Sequence, residues 1–131
     1  MATRQREKAI KRQENKDKRP YAIAKNIRIT PSKAGEVLDL IRGKSVEKAA
    51  TILTLKTNSA APVVLKVLNS AAANAENNMS LAKDELFVAE CFAGAASTLK
   101  RLSPRARGRG NLILKRSCHI TVILDRVGGG V

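Results

Sequence analysis

The sequence predicts an α+β domain in which three helices pack on a small antiparallel three-stranded sheet, with a long protruding β-hairpin. Three observations carry this. Apolar residues recur at helical spacing in three successive segments between residues 31 and 78. The period becomes two before and after them. A turn cluster, Ser103-Pro104-Arg105-Ala106-Arg107-Gly108-Arg109-Gly110, then separates two strand-like runs.

In chain order, Ile23, Ile27 and Ile29 are interleaved with Lys25, Asn26, Arg28 and Thr30, predicting a half-buried strand over about 22–30. Thr30 followed by Pro31 supplies an N-cap with proline at the first helical position. Ala34, Val37, Leu38 and Ile41 form one apolar stripe on a helix that ends before Gly43. Ser45 caps a second helix, with Val46, Ala49, Ala50 and Leu53 at the same spacing. The third helix starts near Ser59, holds Pro62 in its first turn and buries Ala61, Val64, Leu65, Leu68, Ala72 and Ala75. Its small residues allow close approach to a sheet, and Asn77 and Asn78 are its expected terminators. Leu86–Phe92 reads as a strand. In the last stretch Leu114, Cys118, Ile120, Val122 and Leu124 lie on one side and Lys115, Ser117, His119 and Thr121 on the other, with Arg116 an exception on the apolar side. The strands flanking 103–110 make the hairpin, about 97–115, whose arms would reach about 25 Å at roughly 3.3 Å per residue. A ribbon of two strands is marginal in water, so it is expected to order chiefly against a partner.

The chain has 131 residues, one domain's worth, with 25 Lys plus Arg against 11 Asp plus Glu and a net charge of +14. That charge is unevenly placed. Residues 1–20 carry eight basic and three acidic groups, 21–99 nine and seven, 100–116 seven and none, and 117–131 one of each. Residues 1–20 have few apolar members and are expected to form a basic, disordered arm; 21–127 are the single domain, and 128–131 a flexible tail. Between Cys91 and Leu124 no carboxylate is available to pair with Lys100, Arg101, Arg105, Arg107, Arg109, Lys115 or Arg116. Such a run repels itself until an external anion neutralises it.

Arginines at alternate positions 105, 107 and 109 offer planar forks for phosphate. With one Tyr, two Phe and no Trp, base stacking on aromatic platforms is disfavoured. Phosphate and shape recognition of a folded RNA, steeply dependent on salt, is the expected mode. The alternative is a DNA-binding architectural protein, because helix, Gly43-Lys44-Ser45, helix resembles a helix-turn-helix. Its second helix opens with Glu47, Lys48 and Thr51, which lack the Arg, Asn or Gln that read base edges.

Other classes are excluded more simply. Uninterrupted apolar runs stop at about four residues, against the roughly 18 to 20 of a membrane helix, so no membrane partner is expected. The N-terminus lacks an apolar h-region and carries acids, which makes a cytoplasmic location the expectation. Two cysteines, Cys91 and Cys118, are too few for a disulfide framework or a four-cysteine zinc site and read as reduced, semi-buried small residues. The single His119 lies on the polar side of a strand, no phosphate loop or nucleophile elbow occurs, and no catalytic residue, metal or cofactor is expected.

Four motifs in register add a resemblance. They are Ala24-Lys25-Asn26-Ile27-Arg28-Ile29-Thr30-Pro31-Ser32-Lys33; Asp39-Leu40-Ile41-Arg42-Gly43-Lys44; Val67-Leu68-Asn69-Ser70-Ala71 with Ala73-Asn74-Ala75-Glu76-Asn77; and Pro104-Arg105-Ala106-Arg107-Gly108-Arg109 followed by Ile113-Leu114-Lys115-Arg116 and His119-Ile120-Thr121-Val122. Over residues 22–126 they closely resemble the bacterial large-subunit ribosomal protein twenty-two family. The resemblance implies a non-catalytic scaffold of large-subunit rRNA that takes part in subunit assembly. It places the body near the outlet of the nascent-peptide tunnel and the hairpin in the tunnel wall, close to the macrolide-binding stretch. Implied rRNA contacts are Arg105, Arg107 and Arg109 at the tip, Lys100, Arg101, Lys115 and Arg116 along the stem, and Lys25, Arg28 and Lys33 on the body. Implied partners are large-subunit rRNA, neighbouring ribosomal proteins and the nascent polypeptide, with no homo-oligomer. The chain departs from the family at Ala95-Ala96-Ser97, where an acidic-Gly-Pro step is usual, and in its basic arm and glycine tail.

Overall fold

A computed structural model describes residues 2–15 and 17–127. Its elements are α1 (Ala2–Glu14), β1 (Tyr21–Ile27), α2 (Pro31–Ile41), α3 (Val46–Leu55), α4 (Ala61–Met79), a 3₁₀ turn (Lys83–Glu85), β2 (Leu86–Ala95), β3 (Leu99–Pro104), β4 (Gly110–Lys115) and β5 (Cys118–Arg126). The architecture is α+β. An antiparallel sheet of order β1-β5-β2 carries α2, α3 and α4 on one face, and β3 and β4 form a separate two-stranded ribbon.

The core lies where the helical stripes meet the inward positions of the sheet. Val37, Leu38, Ile41, Val64 and Leu68 pack with Leu86, Val88, Ile120, Val122 and Leu124, all fully buried. Along β5 burial alternates strictly, with Cys118, Ile120, Val122 and Leu124 inside, as the period of two requires. Ala71, Ala72 and Ala75 hold α4 close to β1 and β5. Cys91 and Cys118 are buried free thiols, and burial pushes both above the usual thiol range. Their modification by an aromatic disulfide reagent at pH 8 is therefore expected to be slow and to follow global unfolding; rapid reaction of either thiol would contradict this packing.

Several boundaries differ from the sequence-based expectation. Residues 2–14, expected to be disordered, form α1; Lys, Arg, Gln, Glu and Ala are strong helix formers, and every side chain described from Thr3 to Asn15 is exposed. The tail 128–131 lies outside the described residues. β1 stops at Ile27 instead of near 30, because the register shifts between Ala24 and Ile27 and Asn26 adopts φ 55°. Thr30 and Ser45 occupy the N-cap positions without a side-chain cap bond. α4 runs past Asn77 and Asn78 to Met79 and ends where Ser80 turns left-handed at φ 54°. Leu65 is only half-buried, and Val67 and Ala71 take its place on the inner face. Gly43, at φ 74°, starts no free recognition helix: its N–H donates to Val88 O and Lys44 O accepts from Val88 N–H, binding the turn to β2.

The largest revision concerns the last stretch of alternating residues. It is two strands, not one: β4 ends at Lys115, β5 begins at Cys118, and each belongs to a different sheet. Leu114 therefore leaves the core and is 45% exposed. Each ribbon arm has six residues, so the ladder spans about 20 Å.

Candidate nucleic-acid interface

The tip is built from backbone first. Arg105 N–H donates to Arg109 O at 2.8 Å, and Arg109 N–H to Ala106 O at 3.3 Å. Between them Arg107 and Gly108 both have positive φ, 58° and 68°, the mark of a type I′ turn whose twist suits a hairpin. Glycine accepts this conformation freely, whereas at Arg107 it costs about 1 kcal/mol. Arg105, Arg107 and Arg109 are all exposed. Arg107→Asn, which creates the preferred Asn-Gly pair, is therefore expected to slow amide exchange at Arg105 and Arg109 by roughly fivefold while weakening RNA binding. Unchanged exchange would show that the turn is not strained.

Along the stem the register pairs Leu99 with Lys115, Lys100 with Leu114, Arg101 with Ile113 and Leu102 with Leu112. One face thus carries Leu99, Arg101, Ile113 and Lys115, and the other Lys100, Leu102, Leu112 and Leu114. The apolar members are 45–68% exposed. The first face alternates basic and apolar side chains, whereas the second is apolar apart from Lys100; Leu114 of that face is the residue that sequence periodicity had assigned to the core. Among the described residues no cation of 100–116 forms a salt bridge.

At the base of the ribbon the structure brings together residues far apart in sequence. Arg28, Lys33, Lys115 and Arg116 line one cleft of about 260 Å³ with Ile29, Thr30, Ser59 and Leu114, and no acid lies in it. Lys33 projects from the first turn of α2, whose free N–H groups add partial positive charge. Arg28 is placed there by the bulge, which is itself held by Asn26 N–H donating to His119 Nδ1 at 3.0 Å. Its Nη1 donates to Lys115 O at 3.0 Å, Arg116 O at 3.4 Å and Ser117 Oγ at 2.9 Å. Lys25 is exposed on β1 and does not line this cleft.

A wider cleft, about 710 Å³, lies elsewhere, between residues 17–23 and the α4 side chains Ser70, Asn74, Asn78 and Met79. Its Arg19 is bound by Asp17 at 2.6 Å and Glu90 at 2.8 Å. The Arg19 guanidinium holds the Asp17 carboxyl down at about 2, and both carboxylates raise the guanidinium above its ordinary value. This neutralised group fixes the approach to β1 and offers nothing to an anion. His119 is spent on the bulge, and no group of metal-ligating side chains occurs among the described residues.

The family model for ribosomal protein L22p/L17e matches residues 22–125. A large ribosomal subunit protein uL22 of Clostridium beijerinckii is 55% identical over 103 residues, covering 79% of this chain and 93% of the relative. That of Aster yellows witches'-broom phytoplasma is 49% identical over 107 residues, 82% of this chain and 83% of the relative. That of Clostridium novyi is 52% identical over 103 residues, 79% and 93%.

Proposed function

The chain belongs to the ribosomal protein L22p/L17e family, and on that premise we propose that it holds large-subunit rRNA in place by threading its basic hairpin through it. It is a structural, non-enzymatic constituent of the large ribosomal subunit. No helix among the described residues is long and apolar enough to cross a membrane.

One observation carries the finer reading: seven cations on an exposed ribbon, with no salt bridge among the described residues to satisfy any of them. A bound polyanion neutralises them and relieves their mutual repulsion. Arg105, Arg107 and Arg109 contact rRNA at the tip, Lys100, Arg101, Lys115 and Arg116 along the stem, and Lys25 and Lys33 from the body. Arg28, the third body contact that the resemblance implies, is instead assigned to the base of the ribbon, where its Nη1 donates to Lys115 O, Arg116 O and Ser117 Oγ. The exposed leucines of the stem lie against sugars, bases or protein where phosphates are absent. The threaded tip forms part of the nascent-peptide tunnel wall, and the protein assists assembly by holding rRNA segments together. It meets neighbouring ribosomal proteins in the subunit and forms no homo-oligomer.

Sedimentation of a cell lysate in Mg²⁺ tests this reading. The protein is expected with the large subunit; recovery mainly as free protein would overturn it. Equal competition by duplex DNA and folded rRNA at physiological salt would instead favour a DNA-binding role.

A further inference from the structure

Sheet and ribbon are joined by only two short segments, 96–98 between β2 and β3 and 116–117 between β4 and β5. This is where the hairpin can swing. On one side Ala96 N–H donates to Ser117 O at 3.0 Å. On the other, Arg28 reaches across from the end of β1 and gathers Lys115 O, Arg116 O and Ser117 Oγ onto a single nitrogen. Ser117 is 5% exposed, the one buried polar residue among those described, and its hydroxyl is aimed at that guanidinium. The three acceptors span the whole 116–117 segment and the last residue of the ribbon. A guanidinium that binds consecutive carbonyls fixes the path of the chain between them, which a phosphate contact would not require.

We propose that Arg28 is a positioning residue which locks the hairpin's direction relative to the body. The lock depends on the bulge at Asn26 and its bond to His119, because these aim Arg28 past the end of β5 instead of along the sheet face. The inference deepens the rRNA-binding reading and rests on it for its biological meaning: a pre-aimed ribbon reaches its RNA channel without first losing orientational freedom. Lys115 and Arg116 then point their side chains outward while their carbonyls face Arg28, so one segment serves both the lock and the basic cleft.

The test uses the full chain without RNA. Spin labels at cysteines introduced at Thr51 on α3 and Asn111 on β4 report the stem's direction by pulsed electron resonance; the native thiols are buried and stay unlabelled. The parent protein should give one narrow distance peak, because the Arg28 bonds hold the ribbon without RNA, in contrast to the mobility expected of an unsupported two-stranded ribbon. Arg28→Lys keeps the charge but ends one atom short of the three acceptors, and is expected to lose that single peak. Ser117→Ala, which changes no charge, should broaden it in the same direction. A narrow, unshifted peak in a folded Arg28→Lys variant would overturn the lock. So would a normal peak in Arg28→Lys together with a fall of about 0.9 in the salt slope of rRNA binding for Arg28→Gln, the signature of a direct phosphate contact. The distances are read without RNA, so failure of the parent protein to bind large-subunit rRNA would sink the rRNA reading and leave the lock to stand or fall by its own result.

Discussion

Replacing Arg105, Arg107 and Arg109 together by glutamine is expected to weaken binding to large-subunit rRNA by on the order of a hundredfold at 0.15 M salt. The slope of log affinity against log salt should fall by about 2 to 3, because each phosphate contact contributes up to about 0.9 to that slope. The three side chains are exposed and make no ion pair among the described residues, so their loss removes no internal contact. The unfolding midpoint of the body should therefore stay within experimental error. Filter binding across a salt series checks both quantities. An unchanged slope would place the tip against the tunnel lumen or nascent chain instead of phosphate.

The second large effect is on stability. Leu68→Ala is expected to destabilise the body by about 2 to 5 kcal/mol, read from urea unfolding, because Leu68 is fully buried where α4 meets the sheet and much of the surrounding face is alanine. With total stabilities of about 5 to 15 kcal/mol, that is a large share. Leu102→Ala on the ribbon, where the same side chain is 68% exposed, should change stability by under about 0.5 kcal/mol. Comparable losses at the two positions would mean that the ribbon packs on the body.

These two results separate what periodicity can read from what it cannot. The stripe of α2, the inner face of α4 and the alternation of β5 were legible because each is a local pattern that the core satisfies directly. Leu114 was misplaced because its alternation runs unbroken through Arg116, while the chain there leaves one sheet for another. α1 escaped because residues 2–14 have helical propensity but no apolar stripe to bury. At the candidate site the tip was legible as composition: arginines around a Gly turn with no acid nearby. The role of Arg28 was not, since its acceptors lie 87 to 89 residues away and become neighbours only through the bulge in β1 and the break before β5. Polar contacts between backbone carbonyls and a distant side chain leave no trace in spacing.

The placement of the hairpin in RNA is tested most directly by tethering an iron chelate to a cysteine introduced at Ala106 and mapping hydroxyl-radical cleavage in assembled large subunits. Scission of large-subunit rRNA at a few sites clustered around the tip is the predicted result. Absence of any cleavage from Ala106, while a chelate at Thr51 on the body cuts rRNA in the same subunits, would contradict it.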